Sequence, residues 1–137
     1  MISIFGFQMH ELNFVVYVIC ISAVVAMDLV STKAFLVPAK ELHAHDWEEE
    51  HGRMPRFIFS KLGTEALGFA VVAAIQLTLY YSLTFIGEWI YKQGIALPLG
   101  ALLAGMFFGM GLIIYRSNMD VAARLKKQVM EKTALAK

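Results

Sequence analysis

Between positions 40 and 53 the chain reads KELHAHDWEEEHGR. Three histidines and five carboxylates share these fourteen residues. Mixtures of imidazole and carboxylate suit zinc, nickel, copper or non-haem iron. His43, His45, Asp46, Glu49 and His51 are therefore the candidate ligands of a divalent metal. On a helix His45 and Glu49 would lie one turn apart, as would Asp46 and Glu50. The spacing matches no defined ligand motif, neither H-E-x-x-H nor the Glu-x-x-His pair of di-iron proteins. Glu48, Glu49 and Glu50 also read as a solvated acidic face. Histidines beside carboxylates titrate near neutral pH, which makes the segment a candidate pH-responsive site as well. Trp47 stands among the acids either as an anchor at a membrane boundary or as the centre of a partner contact.

A second group of chemically capable residues is scattered through apolar sequence. Asp28, Gln76 and, at the edge, Lys61 and Glu65 interrupt long hydrophobic runs. Ionisable groups at membrane depth are costly, so each needs a partner or a role. Asn13, Tyr17, Cys20, Asp28 and Ser31 follow three- and four-residue spacings and form one polar-leaning stripe. Glu65 and Gln76 are eleven positions apart, close to a whole number of turns, and Tyr80 extends their face. Lys61 precedes Glu65 by one turn, where opposite charges meet on a helix. These spacings predict that Asp28 meets Lys61, or is capped by Ser31 and Thr32.

The elements that hold these residues are read from hydrophobicity. The chain has 137 residues, of which 58% are hydrophobic and 17% charged, with a mean hydropathy of +0.61. Soluble domains carry about 25% charged residues. Leu12–Met27, Ala66–Gly87 and Gly94–Tyr115 contain no charge. A membrane helix needs about 20 apolar residues. The expected fold is an all-α integral membrane protein with three transmembrane helices, a cytoplasmic loop and a helical cytoplasmic tail. The expected helices cover about 12–32, 55–92 and 98–116, the last continuing to about 134, with a polar loop at 38–54, all in one membrane domain. The start Met1–Glu11 has no Lys or Arg, so the first run reads as a retained helix rather than a cleaved signal.

Orientation follows from the positive-inside rule. With three spans, Lys92 stands alone on one side, and the other eleven Lys and Arg residues fall on the other. This places the N-terminus outside, and the 38–54 loop and the C-terminus in the cytoplasm, in a plasma or inner membrane. Trp89, Tyr91 and Glu88 mark the outer interface. The basic tail around Arg124, Lys126 and Lys127 would sit near anionic lipid headgroups. A net charge of +1 implies no general affinity for nucleic acid.

Ala101, Gly105 and Gly109 recur every four residues in the third span, a spacing that lets backbones approach closely. They are candidates for packing inside the hairpin or for docking a further helix. All four histidines lie outside the spans, which argues against an intramembrane bis-His haem. The single Cys20 offers no disulfide within the chain and no thiolate metal site.

Three functions compete on these residues. The first is a non-catalytic subunit or homo-oligomeric scaffold of a membrane complex. The second is a proton or cation channel or transporter component using Asp28, Glu65 and Gln76. Its weakness is a shortage of polar groups at mid-membrane. The third is a membrane enzyme with a His/Glu metal site at 43–51, for which the chain shows no nucleophile–base set or phosphate loop. No motif ties the chain to a family.

Overall fold

A computed structural model describes the chain except for residues 1, 5, 6, 10 and 96. Two short strands, β1 (Ile2–Ile4) and β2 (Phe7–Met9), pair antiparallel with Ile2 opposite Met9. The rest is helical: α1 (Glu11–Leu42), α2 (Arg53–Leu62), α3 (Ala66–Lys92) and α4 (Leu99–Leu135). A short 3-10 turn, Asp46–Glu49, lies between α1 and α2. α1, α3 and α4 are long and apolar enough to cross a membrane. Most of their surface is apolar and outward-facing, Ile19, Ile86 and Ile113 among it. Lipid solvates such side chains, so it is packing and polar contacts that hold the helices together.

α1 and α4 exceed the roughly 30 Å of a bilayer core, at about 48 and 56 Å. Their surplus projects at the Lys- and Arg-rich end. There α1 runs past the expected boundary, and Pro38 lies inside it, buried. A proline near a helix end forfeits one backbone bond. Burial of Phe35, Leu36 and Ala39 against Ile58, Phe59, Ala122 and Leu125 offsets that loss. The polar loop is correspondingly shorter than 38–54.

The helix expected over 55–92 is two helices. Gly63 adopts φ +81°, a left-handed conformation that favours glycine, and its N–H bonds Phe59 O at 2.9 Å. α3 then starts after Glu65 at a new angle. The corner is tight: a Cβ on Gly68 would stand 2.0 Å from Gly63 O. α2 is therefore an amphipathic segment tucked under the bundle. Ile58 and Phe59 face in, and Arg56 and Lys61 face out.

Candidate polar seam

The buried side of α3 recurs every four residues. Gly68, Val72, Gln76, Thr84 and Glu88 are buried, and Tyr80, half-buried, completes the series. A four-residue recurrence forms one ridge of a helix surface. This ridge is apolar at its first two positions and polar at the next four. The lipid-facing side holds Leu79, Leu83 and Ile86. α3 is thus inverted relative to a soluble helix, with its polar groups turned toward its neighbours.

Two hydrogen bonds join this ridge to α1. Gln76 Nε2 donates to Asp28 Oδ2 at 2.5 Å. Tyr17 OH donates to Glu88 Oε2 at 2.8 Å, both side chains being buried. Eleven positions on α1 and twelve on α3 separate the two pairs. That is one antiparallel register spanning about 17 Å. The space for the second pair comes from α4. A Cβ on Gly100 would meet Tyr17 OH at 2.8 Å and Glu88 Oε2 at 3.1 Å. Between the pairs, α1 presents apolar Ile21, Val24 and Val25. Gln76 Oε1 and Thr84 Oγ1 are buried and have no hydrogen-bond partner among the described residues. Buried polar atoms seldom lack partners.

α4 is tied to the same region of α1. Asn118 Nδ2 donates to Ser31 Oγ at 3.0 Å and to Thr32 Oγ1 at 3.5 Å. Ser31 Oγ in turn donates to the Asp28 backbone carbonyl at 3.1 Å. This corrects the expected partners of Asp28. Its carboxylate takes Gln76 rather than Lys61, and Ser31 bonds its carbonyl. Lys61 is exposed on α2, and the break at Gly63 separates it from Glu65. Glu65 caps α3 and lines a cleft of about 400 Å³ with Lys33, Lys40, Thr64 and Phe69. Glu65 is exposed at the start of α3, whereas Gln76, eleven positions on, is buried.

The histidine-rich loop is internally satisfied. His43 Nε2 and Glu49 Oε1 are 2.8 Å apart, and Arg124 Nη2 reaches Glu49 Oε2 at 3.3 Å. Asp46 accepts from Thr64 Oγ1 and, at 3.1 Å, from the Trp47 amide, with Lys40 at 3.7 Å. His45 instead stacks on Trp47, centroids 5.2 Å apart, and His51 is exposed. Among the described residues no group of three His, Cys, Asp or Glu side chains is placed to hold a metal ion. Four of the five candidate ligands are dispersed into ion pairs and a ring stack, and His51 stands apart from them. Trp47 packs against the α1–α2–α4 core, with the Arg56 guanidinium 5.6 Å from its ring centre. It anchors the loop to its own chain.

Glu50 ends the loop's 3-10 turn. Burial pushes its carboxyl above the usual range, and the nearby Asp28 charge adds to the rise. The Gly52 amide, which donates to Glu50 Oε1 at 2.9 Å, and His51 oppose it.

The small residues of α4 divide into two sets. Gly100, Ala104 and Gly111 are buried within the chain, Gly111 lying against Val24. Ala101 and Gly105 are exposed, and Gly109 is partly so. A Cβ on Gly105 or Gly109 would meet nothing within 4 Å among the described residues. Cys20 is half-buried beside the Tyr17–Ile21–Ala104 cluster.

Sequence reasoning missed Thr84 and treated Glu88 as an interfacial marker. The signal was present as the four-residue recurrence of Gln76, Tyr80, Thr84 and Glu88. No protein-family model, curated protein or solved structure shows significant similarity to this chain.

Proposed function

We propose that this protein is a small non-catalytic membrane subunit that assembles laterally through the outward face of α4. The observation that carries this is the pair Gly105 and Gly109. Nothing among the described residues stands within 4 Å of where their Cβ atoms would be. The chain satisfies its own close contacts with a different set of glycines, so this four-residue pair is left open to a second helix. In lipid, where hydrophobicity does not drive helices together, such close approach is a main source of association. The occupant is a second copy of this chain or a helix of another membrane subunit.

The eleven-to-one distribution of Lys and Arg supports an orientation with the N-terminus outside. The loop, α2 and the far half of α4 are then cytoplasmic. Exposed Arg124, Lys126 and Lys127 on α4 suit anionic headgroups on that side.

Native mass spectrometry of protein extracted in mild detergent tests the assembly. A mass that is a multiple of 15.3 kDa, or a complex with larger subunits, is expected for the wild type. Gly105→Leu should shift it to the monomer. A wild-type monomer in both detergent and lipid nanodiscs would refute the reading.

A further inference from the structure

We infer that the α1–α3 seam is a proton relay across the bundle, from Asp28 at the charged end to Glu88 at the hairpin end. This is a separate activity from lateral assembly and uses a different face of the molecule.

The inference rests on four features. Two carboxylates stand at the two ends of one interhelical register, about 17 Å apart, each hydrogen-bonded across the interface. An ionisable group inside a membrane bundle is by default a candidate for an ion or proton path. The α3 ridge between them carries a hydroxyl at every step, Tyr80 and then Thr84. Successive ridge positions rise by about 6 Å, a gap that one water between neighbouring oxygens would bridge. Finally, the ridge holds two buried polar atoms, Gln76 Oε1 and Thr84 Oγ1, with no partner among the described residues. Gln76 is 8% exposed and Thr84 0%. A seam built only to fix helix register would leave neither oxygen orphaned, because an unmet buried polar group costs about 1–3 kcal/mol.

The groups facing each end are consistent with proton traffic. Asp28 is hydrogen-bonded to Gln76 on α3, its charge acts on Glu50, and Ser31 links its carbonyl to Asn118 on α4. Glu88 faces Tyr17 on α1 and the Gly100 backbone on α4. No Lys or Arg ion pair to Asp28 or Glu88 occurs among the described residues, so neither carboxylate is locked in its charged form by a fixed cation.

The transfer balances at each step. A hydronium ion gives its proton to a carboxylate oxygen of Asp28 and leaves as water. The new carboxyl O–H is a donor. That O–H bond breaks as a water beside Gln76 takes the proton and gives up one of its own toward Tyr80. The Gln76 amide turns about its last bond so that Oε1 accepts a hydrogen bond from this water and keeps its own protons. Along the ridge, each hydroxyl or water accepts one proton as it gives up another. One O–H bond breaks for each that forms, and no electrons change hands. The proton ends on Glu88, to which Tyr17 OH still donates, and passes to water at the hairpin end.

The test is proton flux in liposomes holding pyranine, with valinomycin and potassium clamping the potential during an external pH step. Wild-type protein should equilibrate the interior several-fold faster than protein-free vesicles. Asp28→Asn, Glu88→Gln and Thr84→Val should each return the rate to the protein-free value. Thr84→Val is the deciding variant, because its hydroxyl holds no structural contact among the described residues. If the carboxylate variants fail to fold, a Thr84→Val protein with wild-type flux still overturns the relay. So does wild-type flux no faster than empty vesicles, even if the protein proves oligomeric.

Discussion

Tyr17 and Glu88 meet at 2.8 Å across 71 positions of sequence, and they do so only because position 100 has no side chain. The contact ties together three helices: α1 gives the phenol, α3 the carboxylate and α4 the clearance. It is the hairpin-end counterpart of Asp28 and Gln76, and the two pairs fix one register between α1 and α3. Interhelical hydrogen bonds in membranes average only about 0.6 kcal/mol. Their value here is alignment: slipping α3 by one residue breaks both at once.

Gly100→Ala should therefore separate Tyr17 from Glu88. The added methyl would lie 2.8 Å from the phenol oxygen, with the Thr84 backbone carbonyl at 3.1 Å blocking retreat. Overpacking of this kind costs about 1–3 kcal/mol. Unfolding by SDS titration in mixed micelles should show that loss. Tyr17→Phe in the Gly100→Ala background should then add little, because the bond is already broken. Additive losses would mean that the two positions act independently.

Gly68→Ala probes the other glycine corner. Its Cβ would meet Gly63 O at 2.0 Å, a backbone atom that cannot move without opening the α2–α3 turn. We expect a loss of at least about 2–3 kcal/mol, together with release of α2 from the core. Hydrogen exchange should rise across 53–62 while α1 and α4 stay protected. Unchanged protection in α2 would contradict this.

Much of this architecture is legible in the sequence, and the limits have physical causes. Three spans follow from uncharged runs of membrane length, and α1, α3 and α4 are indeed long and apolar enough to cross. The break at Gly63 is hidden because Lys61 and Glu65 imitate a helical ion pair; only the positive φ shows the turn. Pro38 reads as a loop signal, yet burial of its neighbours holds it in α1. The partner of Asp28 lies forty-eight positions away. Helical spacing can show which residues share a face, but it does not show which faces meet. Thr84 is easily passed over for the opposite reason. Its four-residue recurrence with Gln76, Tyr80 and Glu88 is in the sequence, but a threonine in an apolar run gains meaning only once the buried side of α3 is known. The cluster at 40–53 is the reverse case: its composition suggests ligands, but each carboxylate that could coordinate is nearer to a cation, a hydroxyl or an amide of its own chain.

The contact between the loop and α4 should be weak. Arg124 and Glu49 are 3.3 Å apart, but the Arg124 side chain is 58% exposed. Exposed ion pairs contribute about 0–1 kcal/mol and fade with salt. Arg124→Ala should leave global stability within about 1 kcal/mol of wild type. Hydrogen exchange over 43–52 should rise modestly at low salt and match wild type in high salt. A large global loss would show that Glu49 and Arg124 carry more of the fold than their exposure suggests.

Glu50 gives the loop a pH dependence whose sign can be stated. Its carboxyl is raised in the folded protein, first by burial and then by the Asp28 charge. A raised acid favours the folded state when protonated. Its contribution is full below the ordinary carboxylate range and is lost as pH rises through the elevated folded value. The docked loop should accordingly hold more tightly in mild acid than at neutral pH. Glu50→Gln removes the charge while keeping an oxygen for the Gly52 amide. It should tighten the loop at neutral pH and flatten the dependence. Trp47 fluorescence reports this, because its ring packs on the core when the loop is docked; Trp89→Phe removes the second tryptophan. Loss of quenching or a spectral shift on raising the pH in wild type, absent in Glu50→Gln, is the expected result. Loosening toward acid in wild type would overturn the assignment of the dependence to Glu50.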